Sequence, residues 1–287
     1  MDNTPAREWD IEITAKRGWF DLNIKDVWHY RDLLWLLVRR DFVSFYKQTI
    51  LGPLWFFIQP LFTTIIYTFI FGNLAAIPTD GLPQPLFYLA GITAWNYFSD
   101  CLTKTSTVFT ANAGLFGKVY FPRLIIPLSI VVSNLIRFAV QMILFFLMMG
   151  VYAAKGAGVH PNAYLFLFPI LLLLMAMLGL GLGMIISAMT TKYRDLSFLV
   201  TFGIQLMMYL TTVIYPLSAV KAKFPHYQWL VEYNPMTPVI ETFRYGFLGQ
   251  GTFTLLSLAI TTAITILIML AGIIIFNRVE RNFIDTV

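Results

Sequence analysis

Charge is scarce in this chain. Only 12% of its 287 residues are Asp, Glu, Lys or Arg, where a soluble globular chain has about 25%, and 58% are hydrophobic. That balance excludes a soluble domain and makes the chain an integral membrane protein. Cys101 is the one cysteine, which excludes an internal disulfide and any cysteine-based metal cluster. The three histidines, His29, His160 and His226, are isolated from one another, and no His-Glu-x-x-His occurs. Nor does a Gly-x-x-x-x-Gly-Lys-Ser/Thr loop, so the chain does not bind ATP by that route and no cofactor is expected on it. The first 50 residues carry charges throughout, without an apolar run that ends in a small-residue cleavage site, so no cleavable signal is expected. The net charge of +5 does not point to nucleic acid, because the basic residues are scattered among apolar spans.

What is present is a series of apolar runs. The expected architecture is all-α, with six transmembrane helices at about 54–73, 86–109, 124–152, 163–189, 196–215 and 253–276; the first covers most of a ~30 Å hydrocarbon core, and the clean apolar run of the second is short, ending before Ser99 and Asp100. Ahead of them stand an N-terminal segment, 1–28, and an amphipathic helix, 29–52, with the six-helix membrane domain filling 53–287. Six spans put both termini on one side. Fifteen Lys/Arg then fall on the side of the termini and four on the other, with Arg137 inside a span, which makes both termini cytoplasmic. Acidic residues are missing from spans one, four, five and six, and Asp100 lies near the end of span two. A proton- or sodium-coupled carrier usually needs an intramembrane carboxylate, so energy is expected from outside this chain.

Six features stand out. At 100° per residue, Asp32, Arg39, Arg40 and Lys47 share one arc of the 30–48 helix, while Tyr30, Leu33, Leu34, Leu37, Phe42 and Phe45 fill most of the opposite one, on which Arg31 and Asp41 also fall. Such a helix lies along a membrane surface, its apolar groups in the headgroup layer and its cations toward anionic lipid or a protein partner; a Gly52-Pro53 corner joins it to span one. Span three carries Ser133, Arg137 and Gln141 at helical spacing, with Asn134 beside them; Arg137 either lines a pore or subunit contact or is held by structural hydrogen bonds. Asp100 and Lys104, spaced i,i+4, are expected to pair. In span four Gly179, Gly183 and Ser187 recur every four residues, a face that lets another helix approach closely. Residues 216–252 mix four prolines with seven aromatics and five charges, a composition for broken, re-entrant or interfacial helices, with Thr237-Pro238 expected to open one of them. The aromatics in or beside the first two spans, Trp55, Phe56, Tyr67, Tyr88 and Trp95 among them, are either an interfacial belt or a wall along which sugar rings slide.

Leu36-Leu-Val-Arg-Arg-Asp-Phe, followed by Tyr46-Lys-Gln-Thr-Ile-Leu-Gly-Pro-Leu-Trp, resembles the N-terminal block of permease subunits from polysaccharide ABC exporters of the ABC-2 type. Lys192-Tyr-Arg-Asp-Leu and Tyr233-Asn-Pro-Met-Thr-Pro, with Phe243-Arg244 after it, match later blocks in the same order. Trp28-His-Tyr-Arg-Asp-Leu makes the O-antigen and teichoic-acid members the most similar. Ser44-Phe45 departs from relatives that often carry a further basic residue there.

The resemblance implies a homodimer in the bacterial inner membrane with two separate ATPase subunits that hold ATP and Mg²⁺. Its substrate would be a glycan on an undecaprenyl-diphosphate-type lipid. It assigns Arg39, Arg40 and Lys47 to phosphate or ATPase contacts; Leu115, Phe116, Lys118, Tyr120, Lys192, Tyr193, Arg194 and Asp195 to cytoplasmic coupling elements; and Tyr227, Trp229, Tyr233, Glu241 and Arg244 to an outer gate in 216–250. Trp55, Phe56, Gln59, Tyr67, Tyr88, Trp95, Arg137 and Gln141 are the candidate channel lining. Export of teichoic acid, capsular polysaccharide or a smaller lipid or drug on the same scaffold is the alternative. A membrane-bound glycosyl- or acyltransferase is a third reading; it needs an acid/base cluster, for which Glu232, Glu241 and His226 are the nearest set.

Overall fold

The computed structural model describes residues 24–47, 49–116, 121–193 and 195–283, apart from the side chains of 24–26, 45, 46, 116 and 280–283. Regular structure among the described residues is helical throughout. A short α1 (Ile24–His29) leads into α2 (Arg31–Tyr46), and the Gly-Pro corner is one 3₁₀ turn, Gly52–Leu54, before α3 (Trp55–Tyr67). Gly52 holds φ +53° there, a left-handed value that favours glycine. α3 continues as a π-helical turn, Thr68–Leu74. Next come α4 (Gln84–Ser106), two four-residue helices, α5 (Val108–Ala111) and α6 (Ala113–Phe116), and the long α7 (Ile125–Ala154). A 3₁₀ turn at Ala163–Leu167 opens α8 (Phe168–Lys192); α9 (Leu196–Tyr209), α10 (Leu217–Lys223), α11 (Gln228–Glu232), α12 (Met236–Leu248) and α13 (Leu255–Phe283) complete the chain.

Four stretches are long and apolar enough to cross a membrane, Gly52–Leu74, Ile125–Ala154, Ala163–Lys192 and Leu255–Val279, so this is a multi-pass membrane protein. They coincide with the first, third, fourth and sixth expected spans. α4, at the second, has 23 residues, or ~34 Å, yet includes Gln84, Asn96, Asp100 and Lys104. It carries them because it runs through the middle of the bundle, packed by α8, α7, α3, α12 and α9, where polar groups meet protein instead of hydrocarbon. The fifth expected span needs correction: α9 stops at Tyr209 and 210–215 is a turn. The Thr211 hydroxyl donates to Met208 O at 2.7 Å, and Asn234 Nδ2 donates to Leu210 O at 3.2 Å, so carbonyls at this helix end are paired by side chains.

The small residues of α8 explain its place between two neighbours. A Cβ on Gly179 would stand 2.8 Å from Cys101 Cβ, and one on Gly183 would stand 2.5 Å from Thr105 Cβ, both on α4. Gly181 faces the other way, where a Cβ would meet Met269 Cα of α13 at 2.9 Å. The expected close approach is therefore made on two faces rather than one. At one end of this seam the Thr190 hydroxyl donates to Ser106 O, across from α8 to α4. The connectors that follow these two helices thus leave the bundle side by side.

This seam supplies a direct test. Cys101 is fully buried against it and is the one thiol of the chain. The purified protein is expected to resist maleimide, whereas Gly183→Leu, which overpacks the seam at a cost of about 1–3 kcal/mol or more, is expected to expose the thiol. An unreactive Cys101 in that variant would show that the seam accepts a larger side chain without opening.

Candidate functional site

The segment expected to form a gate divides into an exposed part and a buried part. Tyr227, Trp229 and Tyr233 are 65%, 55% and 65% exposed, whereas Glu241 and Arg244 are each 1% exposed. α12 carries the buried pair. Its start is two residues earlier than expected: Met236 is its first residue, and Asn234 Oδ1 accepts from the Met236 N–H at 3.0 Å, so Asn234 does the capping that the sequence assigned to Thr237. The helix stops at Gly249, φ +79°.

Arg244 joins three parts of the chain. Its Nη1 donates to Thr212 O and its Nη2 to Val213 O at 2.9 Å and Phe87 O at 3.2 Å, while the guanidinium carbon lies 3.5 Å from the centroid of the Phe87 ring. Glu241 balances the charge, its Oε1 being 3.5 Å from Nη1, and its Oε2 accepts from the Thr252 N–H at 2.9 Å and the Thr252 hydroxyl at 3.0 Å. Thr212 and Val213 belong to the turn that cuts α9 short, so the fork takes carbonyls which a longer helix would have bonded internally. Gly91 makes the room: a Cβ there would stand 2.6 Å from Nη2.

A second polar group lies farther along α4. Asp100 and Lys104 do not pair with each other as expected. Lys104 Nζ donates to Asn134 Oδ1 at 2.6 Å, and Asp100 Oδ2 lies 3.6 Å from Arg137 Nη1, both partners being on α7. Tertiary partners on the neighbouring helix win over the helical neighbour because α4 and α7 pack along each other. Arg137 also stands 5.2 Å from the Phe56 ring, and Phe56 meets Phe42 of α2 at 6.3 Å between centroids. Arg137 is thus held between three helices. Ser133 Oγ and Gln141 Oε1 are buried without a hydrogen-bond partner among the described residues.

α2 presents Tyr30, Leu33, Leu34 and Leu37 to a core that includes Phe109, Ile125 and Phe276, and it packs along α7. Protein covers Leu37 and only part of Tyr30, Leu33 and Leu34, while Trp28, Trp35 and Leu36 stay exposed. Arg39, Arg40 and Lys47 are exposed, and Arg40 pairs with Asp41 at 2.9 Å. The side chain of Phe45 lies outside the described residues. Of the candidate coupling elements, Leu115 packs at the edge of the same core, Lys192, Tyr193 and Asp195 are exposed, and Lys192 Nζ lies 5.2 Å from the Tyr193 ring. Phe116 ends α6, its side chain undescribed; Lys118, Tyr120 and Arg194 lie outside the described residues, as do residues 1–23.

The candidate channel residues do not gather on one open face. Trp55 and Gln59 are exposed, Tyr67 is half-buried, and Phe56, Tyr88 and Trp95 are buried. Tyr67 stacks edge-on against Tyr88 at 6.2 Å and donates its hydroxyl to Met208 Sδ of α9 at 3.8 Å. Nor do Glu232, Glu241 and His226 assemble as a transferase site. Glu232 is bound to Lys221 at 2.7 Å and Glu241 to Arg244, and no metal-capable cluster of His, Cys, Asp or Glu occurs among the described residues.

The family model described as ABC-2 type transporter matches residues 32–248, and the chain belongs to that family. It is similar to an O-antigen export system permease protein RfbA of Klebsiella pneumoniae, 29% identical over 256 residues that cover 88% of this chain and 94% of the relative. A protein of the same name from Myxococcus xanthus is 26% identical over 265 residues, 92% of this chain and 98% of the relative.

Arg244 carries the clearest structural expectation. Arg244→Met removes the fork from three buried carbonyls and leaves Glu241 without its cation, a loss of about 3–5 kcal/mol. Arg244→Lys is not expected to restore it, because one ammonium lacks the planar fork. The thermal midpoint of the purified protein, followed by the appearance of the Cys101 thiol, reads both variants; a wild-type midpoint in the lysine variant would show that charge alone holds the corner.

Proposed function

We propose that this chain is the permease subunit of an ATP-driven exporter that moves a lipid-linked, O-antigen-like polysaccharide across the bacterial inner membrane. The observation that carries the reading is the match, over about nine-tenths of both chains, to proteins named as O-antigen export permeases. The working unit is a homodimer with two ATPase subunits that supply ATP and Mg²⁺ chemistry. Six crossings, with α4 and α9 as the second and fifth, put both termini in the cytoplasm, in keeping with fifteen Lys/Arg on that side against four on the other. α2 then lies at the cytoplasmic surface, with the connectors after α4 and α8 as the seats for the ATPases. Their common origin at the Thr190–Ser106 hydrogen bond supports one concerted push on both helices. The 216–250 segment faces outward as the gate, α12 being its fixed base and α10 and α11 its exposed part.

The chemistry fits a polymer more readily than an ion. Of the aromatics assigned to the path, Trp55 is exposed and Tyr67 half-buried, and such rings offer apolar contact to a sugar chain, while Glu232, Glu241 and His226 do not gather as the acid and base that the acyl- or glycosyltransferase reading needs.

Co-expression with the cognate ATPase is expected to give a stable complex whose hydrolysis rises when lipid-linked glycan is added. Hydrolysis unmoved by glycan but raised by a small lipid or drug would transfer the protein to the alternative substrate class. Replacing Arg39 and Arg40 together with Gln is expected to lower export while abundance stays unchanged; normal export by that variant would remove the exposed cations of α2 from the mechanism.

A further inference from the structure

A half-open cavity of about 360 Å³ lies between the outer ends of α9 and the loop after α3 on one side and α10 and α11 on the other. Leu210, Val220, Phe224, Tyr227 and Val231 are among its lining residues, and Lys223 is the one charged residue on its wall. We propose that it is a lipid site, holding one acyl chain of an anionic phospholipid, with the Lys223 ammonium on the phosphate. The inference rests on the reading that puts the 216–250 segment at the outer membrane edge.

Three observations favour this occupant. The first is the wall itself. The volume falls within the range of small-molecule sites, and an apolar void of that size forfeits contacts on every side if nothing fills it. Water gains little there, since the Tyr215 hydroxyl is already donated to Tyr209 O and the remaining lining is apolar apart from Lys223 and the Tyr227 hydroxyl.

The second is charge. Lys221 is held by Glu232 at 2.7 Å, whereas Lys223 makes no ion pair among the described residues and stands exposed on the cavity wall. A headgroup phosphate supplies the missing anion, at about the strength of one lysine near an anionic surface.

The third is position. Leu210 follows directly on α9 and Ile77 lies three residues past the end of the π-helical turn, so the mouth sits where the hydrocarbon layer ends and lipid is the apolar chain at hand. Phe224, Tyr227 and Trp229 stand 59%, 65% and 55% exposed around it, which is the aromatic composition of a membrane–water boundary.

The test uses the permease co-purified with its ATPase and reconstituted in phosphatidylethanolamine vesicles that contain phosphatidylglycerol with a photoreactive acyl chain. Crosslinks are expected within 210–231. Val220→Trp, which fills the cavity, is expected to abolish them, and Lys223→Glu to reduce them at least about fivefold, with Cys101 remaining unreactive in both. A phosphatidylcholine probe is expected to label more weakly. Labelling that is absent from 210–231, that survives Val220→Trp, or that is equal for the two headgroups overturns the proposal. Gln250→Cys, probed in cells with an impermeant maleimide, scores the topology separately: a residue reachable only from the cytoplasm overturns the placement of this segment whatever the lipid labels show.

Discussion

One half of this bundle depends on one guanidinium. Arg244 takes carbonyls from α4 and from the turn after α9, and those carbonyls are available because α9 ends early and because Gly91 leaves a space beside Phe87. Without a donor, a buried backbone carbonyl costs about 1–3 kcal/mol. An arginine is the one side chain that can serve three at once in a plane. Glu241 makes the arrangement affordable by keeping the cation paired, and its second oxygen ties α12 to Thr252 at the approach to α13. The pair therefore fixes the base of the segment whose tip, with Tyr227 and Trp229, remains exposed.

The other half is organised by close approach. α8 sits between α4 and α13 with glycines on both contacting faces, so packing there is set by backbone shape and dispersion rather than by polar pairs, as expected where lipid and protein are equally apolar. Polar pairs appear one helix away, between α4 and α7, at Lys104–Asn134 and Asp100–Arg137. Arg137 stands at the junction of α3, α4 and α7, and through Phe56 and Phe42 it adjoins α2. A chain of contacts therefore joins α2 to the central helix α4.

Much of this was legible beforehand, and the failures share a cause. Long apolar runs declare spans one, three, four and six, and the four-residue spacing of small residues declares a helix contact, because both are properties of a single helix. Partners are not. Asp100 and Lys104 have the right spacing to pair, but the sequence cannot weigh that against Arg137 and Asn134 arriving from α7. The apolar arc of α2 is correct, yet an arc does not state whether lipid or protein covers it. Arg244 was expected at a gate, and the signal that it is buried was present only as an i,i+3 acid on an otherwise apolar helix. α9 was read as longer than it is because its end is decided by a donor 31 residues away.

The shortened α9 has a consequence for the surrounding membrane. Its 14 residues span ~21 Å and the 30 of α7 span ~45 Å, so one molecule presents a wall shorter than a ~30 Å hydrocarbon layer and another that exceeds it. On the six-crossing reading proposed above, lipid thins beside the first, while the second tilts or projects from the bilayer. Such a perimeter deforms the bilayer unequally, and acyl-chain length becomes one of the forces acting on its shape.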